Sequence, residues 1–186
     1  MAAFSLNNVA IRGISCCVPK NTERNIDLDI LTEEEIQKFI EVTGVEERRI
    51  VTNKVCTSDL CCEAAEKLVN DLSWNKEEIE ILVFVSQTAD YILPVSAAIL
   101  QDRLGLSTNC IAFDVPLGCS GYVYGLSIIA GMMKACGLKK GLLLAGDTSS
   151  KLLSKTDKST VLLFGDGGSA TTFDFDEQAE SILIDL

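Results

Sequence analysis

Histidine is absent from the sequence, and basic residues are scarce. The 186 residues include 16 lysines and arginines against 27 aspartates and glutamates, which gives a formal net charge of −11 at pH 7 and an isoelectric point of about 4.4. Proteins that bind nucleic acid use basic groups to displace counterions from the phosphates. The charge of this chain therefore argues against a nucleic-acid partner.

Long apolar runs are also missing. A membrane-spanning helix needs roughly 18–20 consecutive apolar residues, and the most apolar segment, 121–136, is interrupted by Lys134. The first residues, MAAFSLNNVAIRG, lack the basic region and apolar run of a secretory signal. We therefore predict one compact cytoplasmic unit with no membrane partner.

The eight cysteines lack the spacing of a metal site. Cys16–Cys17 and Cys61–Cys62 are adjacent pairs, and Cys56 precedes Cys61 by five residues. None of these has the C-x2–4-C spacing with which two thiolates hold one zinc ion, and no histidine can complete a mixed site. We expect no bound metal and no disulfide framework, with most of the cysteines buried as small apolar side chains.

Hydrophobic periodicity predicts alternating strands and helices. The predicted strands are 9–18, 79–86, 109–115, 141–145, 160–164, 170–175 and 182–184, and the predicted helices are 31–42, 59–72, 94–104 and 120–136. Thr32 is the expected N-cap of the first helix, Thr57 or Ser58 that of the second, and Pro94 the first residue of the third. This order predicts an α/β fold with a mixed, mostly buried sheet that includes an added antiparallel pair.

One predicted helix is apolar on nearly every side, from Tyr122 to Met133. A helix of this kind belongs at the centre of a larger assembly of elements. We therefore expect a further layer of structure to cover the side that faces away from the sheet.

Cys119 stands where a predicted strand ends and a helix begins, in the segment FDVPLGCSGYVYGL. Free N–H groups and the positive end of the helix dipole favour a thiolate there, and they stabilise an oxyanion on a thioester that the sulfur attacks. Gly118 and Gly121 allow backbone and substrate to approach closely. The residues alone support two interpretations about equally, a nucleophile and one more small buried cysteine.

Three further segments stand beside the Cys119 segment: TGVEERRI at 43–50, VSQTADYILPVSAAILQDRLGL at 85–106 and LFGDGGSA at 163–170. In this order, the four segments resemble those of β-ketoacyl-acyl carrier protein synthase III, a family of thiolase-fold condensing enzymes. Together they extend over nearly the whole chain. The resemblance implies an acyltransferase in which Cys119 accepts an acyl group from a thioester. That group is then joined to malonyl-acyl carrier protein with loss of carbon dioxide.

The family's fold consists of two similar halves, and its catalytic histidine and asparagine belong to the second. This chain resembles the first half. Residues 1–186 are therefore expected to form an N-terminal thiolase-like half-domain, with the C-terminal half absent from the chain. Without a histidine the chain alone is expected not to condense, although Cys119 can still take an acyl group slowly.

The resemblance also implies substrate contacts and a homodimer. Lys158 matches an arginine that contacts coenzyme A, although it lacks the planar fork of a guanidinium. Leu93 matches the residue that enters the acyl pocket of the partner subunit. The competing interpretations are a solvated loop lysine and a leucine packed in the core. Lys38 and Val42 stand where the family has a tryptophan and an arginine that hold coenzyme A, so the carrier is left open.

The expected partner is acyl-CoA or acyl carrier protein, both as thioester substrates, and no cofactor is expected. Acyl carrier proteins are acidic, so docking one on this acidic chain requires a local basic patch. The candidate patches are Arg48–Arg49, Lys139–Lys140, and Lys151 with Lys155 and Lys158.

Other functions compete with decarboxylative condensation. Gln87 stands where hydroxymethylglutaryl-CoA synthases have a catalytic glutamate. An amide cannot accept a proton from a thioester, so that branch is disfavoured. Transfer of the acyl group to an oxygen, a nitrogen or another nucleophile in specialised biosynthesis stays open. So does a non-catalytic half-domain that serves dimerisation.

Overall fold

The computed structural model describes residues 3–179 and 182–185. Its strands are β1 (Ala3–Leu6), β2 (Val9–Cys17), β3 (Thr22–Arg24), β4 (Glu47–Arg49), β5 (Ile81–Val85), β6 (Ile111–Val115), β7 (Lys140–Thr148), β8 (Asp166–Phe175) and β9 (Ile182–Asp185). Its helices are α1 (Glu33–Thr43), α2 (Thr57–Asp71), α3 (Ser96–Arg103) and α4 (Gly121–Cys136). The main sheet has the order β2-β8-β7-β5-β6, while β1 pairs with β9 and β3 with β4.

The main sheet is mixed, as the sequence predicts. β6 and β7 run parallel to β5 on its two sides, with α3 in the connection from β5 to β6 and α4 in that from β6 to β7. Parallel neighbours need such crossovers. β8 and β2 then extend the sheet in antiparallel fashion beyond β7. The predicted α/β fold class is confirmed.

Helices cover both faces of the sheet, which explains why every residue of β5 is buried. Leu82 and Phe84 pack with residues of α2 and α3, whereas Ile81 and Val83 pack with residues of α4. The side chains alternate between the two clusters because successive residues of a strand point to opposite faces. The molecule therefore has three layers, with the sheet between α2 and α3 on one side and α4 on the other.

The first helix begins where the sequence predicts. The Thr32 hydroxyl accepts a hydrogen bond from the Glu35 backbone N–H at 3.3 Å, and the Thr32 N–H donates to the Glu35 carboxylate at 2.8 Å. This reciprocal pair is a capping box, a purely local device that the order of residues reveals.

The second helix has a different N-cap from either predicted one. Thr57 and Ser58 lie inside α2, and Cys56 is the N-cap, with its backbone N–H donating to Asp59 Oδ2 at 2.7 Å. Thr57 is fully buried, and its hydroxyl contacts the Thr88 hydroxyl at 2.8 Å. The predicted capping role was wrong because the Thr57 hydroxyl contacts Thr88 instead of an N–H group of α2.

The third helix begins at Ser96, two residues after the predicted start at Pro94. Its cap comes from a neighbouring strand. Asp114 in β6 accepts hydrogen bonds from the N–H groups of Ser96 at 2.8 Å and Ala97 at 2.7 Å. One carboxylate thus binds two N–H groups that a helix end leaves free, and it ties α3 to the strand that leads to Cys119.

The strand predicted at 160–164 is wrong, because the chain forms turns there. The Asp157 carboxylate accepts hydrogen bonds from the Ser159 N–H and from the Thr160 hydroxyl, and the Asp157 carbonyl accepts from the Val161 N–H. The hydrogen bonds to Asp157 therefore stabilise turns in this segment, despite the strand propensity of TVLLF. Val161 and Leu162 are still buried, so these two side chains pack in the core although the segment forms no strand.

Three short strands, β1, β3 and β4, were not predicted. The pairing of β3 with β4 buries Arg48, which contacts the Glu23 carboxylate and donates to Asn25 Oδ1 at 3.0 Å. The Arg48 side chain is only 3% exposed. Arg48 is therefore a structural ion-pair partner, and burial removes it from the candidate patch for an acidic protein, whereas Arg49 of the same patch is exposed.

The apolar helix α4 packs one side on the sheet. Ile129 and Met133 are buried against it, whereas Tyr124 is 39% exposed on the opposite side. A layer over that outer side stays a prediction. No helix within 3–179 or 182–185 has both the length and the apolar character needed to cross a membrane.

Candidate active site

Cys119 lies in the turn between the buried strand β6 and the helix α4, and its thiol is exposed. The turn is tight, because the Leu117 N–H donates to the Val115 carbonyl at 2.9 Å and the Gly121 N–H donates to the Gly118 carbonyl at 2.6 Å. The predicted strand–turn–helix placement is confirmed. The alternative of one more buried cysteine is wrong.

The side chain of Ser120 does not cap α4. Apart from the Gly121 N–H, which donates to the Gly118 carbonyl, the N–H groups of the first helical turn therefore have no competition from that hydroxyl. Such groups carry the partial positive charge of the helix end. The arrangement suits an anion or a developing oxyanion beside the sulfur.

Two glycines near Cys119 lie close to other side chains. A Cβ atom at Gly121 would lie 2.6 Å from Cγ1 of Val85, and one at Gly118 would overlap the carboxamide of Gln87. The sequence predicted room for backbone and substrate at these positions. In the structure, the side chains of Val85 and Gln87 occupy this space.

Gln87 belongs to a loop that Asp147 holds in place. Oδ1 of Asp147, near the end of β7, accepts hydrogen bonds from the Ser86 hydroxyl at 3.0 Å and from the Gln87 N–H at 2.8 Å. It also accepts from the Thr88 N–H at 3.0 Å and the Thr88 hydroxyl at 2.8 Å. One carboxylate oxygen thus binds three consecutive residues that follow β5.

A row of hydroxyl groups continues this network into the core. The Thr88 hydroxyl accepts from the Thr148 N–H at 2.9 Å, and the Thr57 hydroxyl contacts both the Thr88 and Thr148 hydroxyls, the latter at 3.0 Å. Thr57 and Thr148 are buried. The loop at 86–88 is therefore bonded to β7 and to the start of α2, and it has little freedom to move.

Two cavities lie near this loop. One of about 270 Å³ is lined by Cys56, Gln87, Thr88, Ala89, Asp90, Thr148, Lys151 and Leu152. The other, of about 190 Å³, includes Lys151 and Lys155 in its lining. Both lysines are exposed, so they can meet a negatively charged group. Lys151 belongs to both cavities.

Lys158 and Leu93, the other two predicted site residues, are both exposed. Lys158 lies close enough to Glu35 to favour its ionised form, although the lowered pKa of Glu35 comes mainly from the hydrogen bond of the Thr32 N–H. Lys158 lines neither of the two cavities above. Leu93 is 80% exposed, so the alternative of core packing is wrong for this residue.

The Lys139–Lys140 pair also has intramolecular partners. Lys140 binds the Glu78 carboxylate at 2.6 Å, and its ammonium lies 4.8 Å from the centre of the Trp74 ring. Lys139 lies 4.1 Å from the centre of the Phe175 ring. Lys139 and Lys140 line a cavity of about 330 Å³ together with three glutamates, whereas Lys151 lines the cavity that Gln87 also lines. Of the predicted basic patches, the one that contains Lys151 is therefore the one next to the Gln87 loop.

The cysteines differ widely in exposure. Cys61, Cys62 and Cys110 are buried, Cys17 and Cys56 are half-buried, and Cys16, Cys119 and Cys136 are exposed. The prediction that most are buried was wrong, since three of the eight are. In the described part of the chain, no group of three or more acidic or cysteine side chains could hold a metal ion.

Asp147 and the packing of Gln87 were not predicted as parts of the site. A signal for both exists in the sequence, because SQT at 86–88 and GDT at 146–148 follow apolar runs. Parallel strands bring such polar residues to the same edge of a sheet. Recognising the pair required knowing that β5 and β7 are neighbours.

The comparisons with known proteins agree with the fold described above. The model of the family "3-Oxoacyl-[acyl-carrier-protein (ACP)] synthase III" matches residues 113–185. β-Ketoacyl-[acyl-carrier-protein] synthase III of Koribacter versatilis (strain Ellin345) is 32% identical over 178 residues, 96% of this chain and 53% of that protein. The enzyme of the same name from Clostridioides difficile (strain 630) is 34% identical over 86% of this chain and 48% of its own length.

Solved structures give the same result. The crystal structure of a 3-oxoacyl-(acyl-carrier protein) synthase from Burkholderia xenovorans LB400 matches with a TM-score of 0.94 at 34% identity, over 98% of this chain and 52% of that one. A 3-oxoacyl-(acyl-carrier-protein) synthase III structure matches with a TM-score of 0.86 at 40% identity, over 93% and 51%.

The chain therefore has the mixed α/β architecture of thiolase-fold enzymes. Within that class it is similar to β-ketoacyl-acyl carrier protein synthase III, as the four sequence segments predicted. The chain spans about half the length of the curated relatives it matches.

Proposed function

We propose that this chain contributes the acyl-accepting cysteine of a synthase III-like acyltransferase. The observation that carries the proposal is the exposed thiol of Cys119 in the turn between β6 and the N-terminus of α4. Its relatives are named as β-ketoacyl-acyl carrier protein synthases, which makes an acyl thioester the expected donor.

In the loading step, the Cys119 sulfur forms a bond to the carbonyl carbon of an acyl thioester. The carbonyl oxygen takes up negative charge, and N–H groups at the start of α4 stabilise it. The bond from the carbonyl carbon to the donor sulfur then breaks, and the departing thiolate takes up a proton in place of the one that Cys119 released. One thioester is thus exchanged for another, and no oxidant or cofactor is needed. The resulting acyl-Cys119 is the substrate of the next step.

We place that next step, decarboxylative condensation with malonyl-acyl carrier protein, in the full-length protein. The present sequence contains no histidine, so the imidazole that the family uses in condensation would have to come from outside these 186 residues. Fatty acid biosynthesis in the cytoplasm and a homodimer belong to the same proposal. Lys151 and Lys155 are the proposed contacts for the anionic part of the carrier, because both are exposed and Lys151 lines the cavity that Gln87 also lines.

Incubation with acetyl-CoA followed by intact mass measurement tests the loading step. We expect one acetyl adduct, which peptide mapping assigns to Cys119 and which Cys119→Ser abolishes. Cys136→Ser is the matched control, since Cys136 is also exposed but lies at the far end of α4, and it should keep the adduct. A full-length protein that forms no adduct would contradict the proposal and favour a non-catalytic half-domain.

A further inference from the structure

We propose that Asp147 is a positioning residue for Cys119, and that it acts through Gln87. This inference rests on the proposed function, because it concerns the loading of an acyl group on Cys119. Asp147 itself does not touch the substrate in this proposal. It fixes the loop whose side chain packs against the turn that contains the nucleophile.

The first link is the set of hydrogen bonds to Oδ1 of Asp147. Four donors from residues 86–88 converge on this one oxygen, at distances between 2.8 and 3.0 Å. Hydrogen bonds to an ionised acceptor are stronger than those between neutral groups. Replacing the carboxylate therefore leaves the Gln87 and Thr88 N–H groups without this partner, and the loop can shift.

The second link is the contact between Gln87 and Gly118. The carboxamide of Gln87 fills the space that a side chain at position 118 would need, since Oε1, Cδ and Nε2 all lie within 2.8 Å of the ideal Cβ position. Gly118 directly precedes Cys119, and its carbonyl accepts the Gly121 N–H that closes the turn. Movement of Gln87 therefore changes the support of the turn.

The third link is the sensitivity of acyl transfer to geometry. The sulfur must reach the carbonyl carbon while N–H groups reach the carbonyl oxygen, and a misplacement of about 1 Å can slow such a step by about a hundredfold. The turn from 116 to 120 is exposed on the side of Cys119, so support has to come from behind it. Gln87 supplies that support, and Asp147 holds Gln87.

The test is a double-mutant cycle in the 186-residue chain with Asp147→Ala, Gln87→Ala and the double variant. Single-turnover acetylation by acetyl-CoA gives a limiting rate and a half-saturating concentration for each. We expect Asp147→Ala to lower the limiting rate by about tenfold to a hundredfold, with little change in the half-saturating concentration. In the Gln87→Ala background the same substitution should have almost no further effect.

Gly118→Ala provides an independent check on the contact. The added methyl group displaces the end of the flexible Gln87 side chain. When Gln87 is present, Gly118→Ala should therefore be acetylated more slowly than the wild type, with little loss of stability. In the Gln87→Ala background the methyl group has room, and its effect should largely disappear. Asp147→Asn, which keeps the shape of the side chain, is used if Asp147→Ala fails to fold.

Asp176→Ala is the matched control. Asp176 also accepts hydrogen bonds through its carboxylate, from Arg12 at 2.7 Å and from the Gln178 N–H at 2.9 Å. It follows the last residue of β8, however, whereas Asp147 lies beside the first residues of that strand. It should leave the acetylation rate unchanged. Effects of Asp147→Ala and Gln87→Ala that simply multiply would overturn the positioning role.

Alkylation of Cys119 by iodoacetamide separates this inference from the proposed function. If the wild type takes no acetyl group, the loading proposal fails, and the same cycle is then measured as the rate of alkylation. The positioning role is supported if Asp147→Ala changes the alkylation rate when Gln87 is present but not in the Gln87→Ala background. It is overturned if Asp147→Ala leaves the alkylation rate unchanged when Gln87 is present.

Discussion

Burial separates the cysteines of this chain into groups with different chemistry. Desolvation raises the pKa of Cys61 to about 12 and that of Cys110 to about 11, and it also raises the pKa of Cys62 and of Cys17. These thiols stay protonated under ordinary conditions, and a protonated thiol is a poor nucleophile. Cys119, by contrast, is exposed.

The raised pKa of Cys61 predicts a loss of stability in alkaline solution. In the unfolded chain this thiol ionises near 9.0, whereas in the folded chain it holds its proton up to about pH 12. The folded state therefore binds more protons between these values. The free energy of unfolding should fall as pH rises, by up to about 1.4 kcal/mol per pH unit for this group.

Urea unfolding between about pH 8 and about pH 10.5 measures this slope. Cys61→Ala should make the slope shallower by about one proton equivalent, whereas Cys136→Ala, which removes an exposed thiol, should leave it unchanged. An identical slope in the wild type and in Cys61→Ala would refute the assignment.

At the scale of elements, the link between α3 and β6 is the interaction most open to measurement. Asp114→Ala removes the acceptor of two N–H groups at the start of α3. We expect a loss of about 1–2 kcal/mol in the free energy of unfolding, as for other helix caps. Asp102→Ala changes an exposed carboxylate within the same helix and should cost much less. Urea unfolding of both variants provides the measurement, and equal effects would contradict the capping role.

The elements that the sequence predicted correctly are those with a local signal. The capping box at Thr32 and the apolar run of β5 can be recognised from neighbouring residues alone. The start of α3 could not be placed, because its cap comes from Asp114 in another strand. The turns at 160–164 were mistaken for a strand because the run is apolar, yet only Val161 and Leu162 are buried, and neither pairs with a strand.

The candidate site divides in the same way. The position of Cys119 between a strand and a helix could be predicted from the order of residues. The support from Gln87 and Asp147 could not, because it depends on the contact of the loop at 86–88 with the end of β7, and the bonded residues are 59 to 61 positions apart in the chain. Such contacts exist only after the parallel strands have paired.

At the scale of the whole molecule, the exposed apolar run at 91–93 is the surface most in need of an explanation. Leu93 is 80% exposed and Ile92 is 94% exposed. Adjacent exposed apolar side chains are typical of interfaces. If the proposed homodimer forms through this run, Leu93→Asp should shift the protein toward the monomer in sedimentation equilibrium. Val42→Asp, which changes an equally exposed apolar residue, should leave the monomer–dimer equilibrium unchanged. A wild-type protein that is monomeric at all concentrations would refute the dimer.

The position of β8 has a consequence for synthesis on the ribosome. β8 lies between β2, which is made early, and β7, so β2 gains its place in the main sheet only after residues 166–175 have emerged. Until then the nascent chain exposes two unpaired strand edges, a state that favours aggregation and capture by chaperones. The main sheet is therefore completed only when β8 has been translated. A nascent chain paused before Asp166 should be more sensitive to proteolysis than one paused after Phe175.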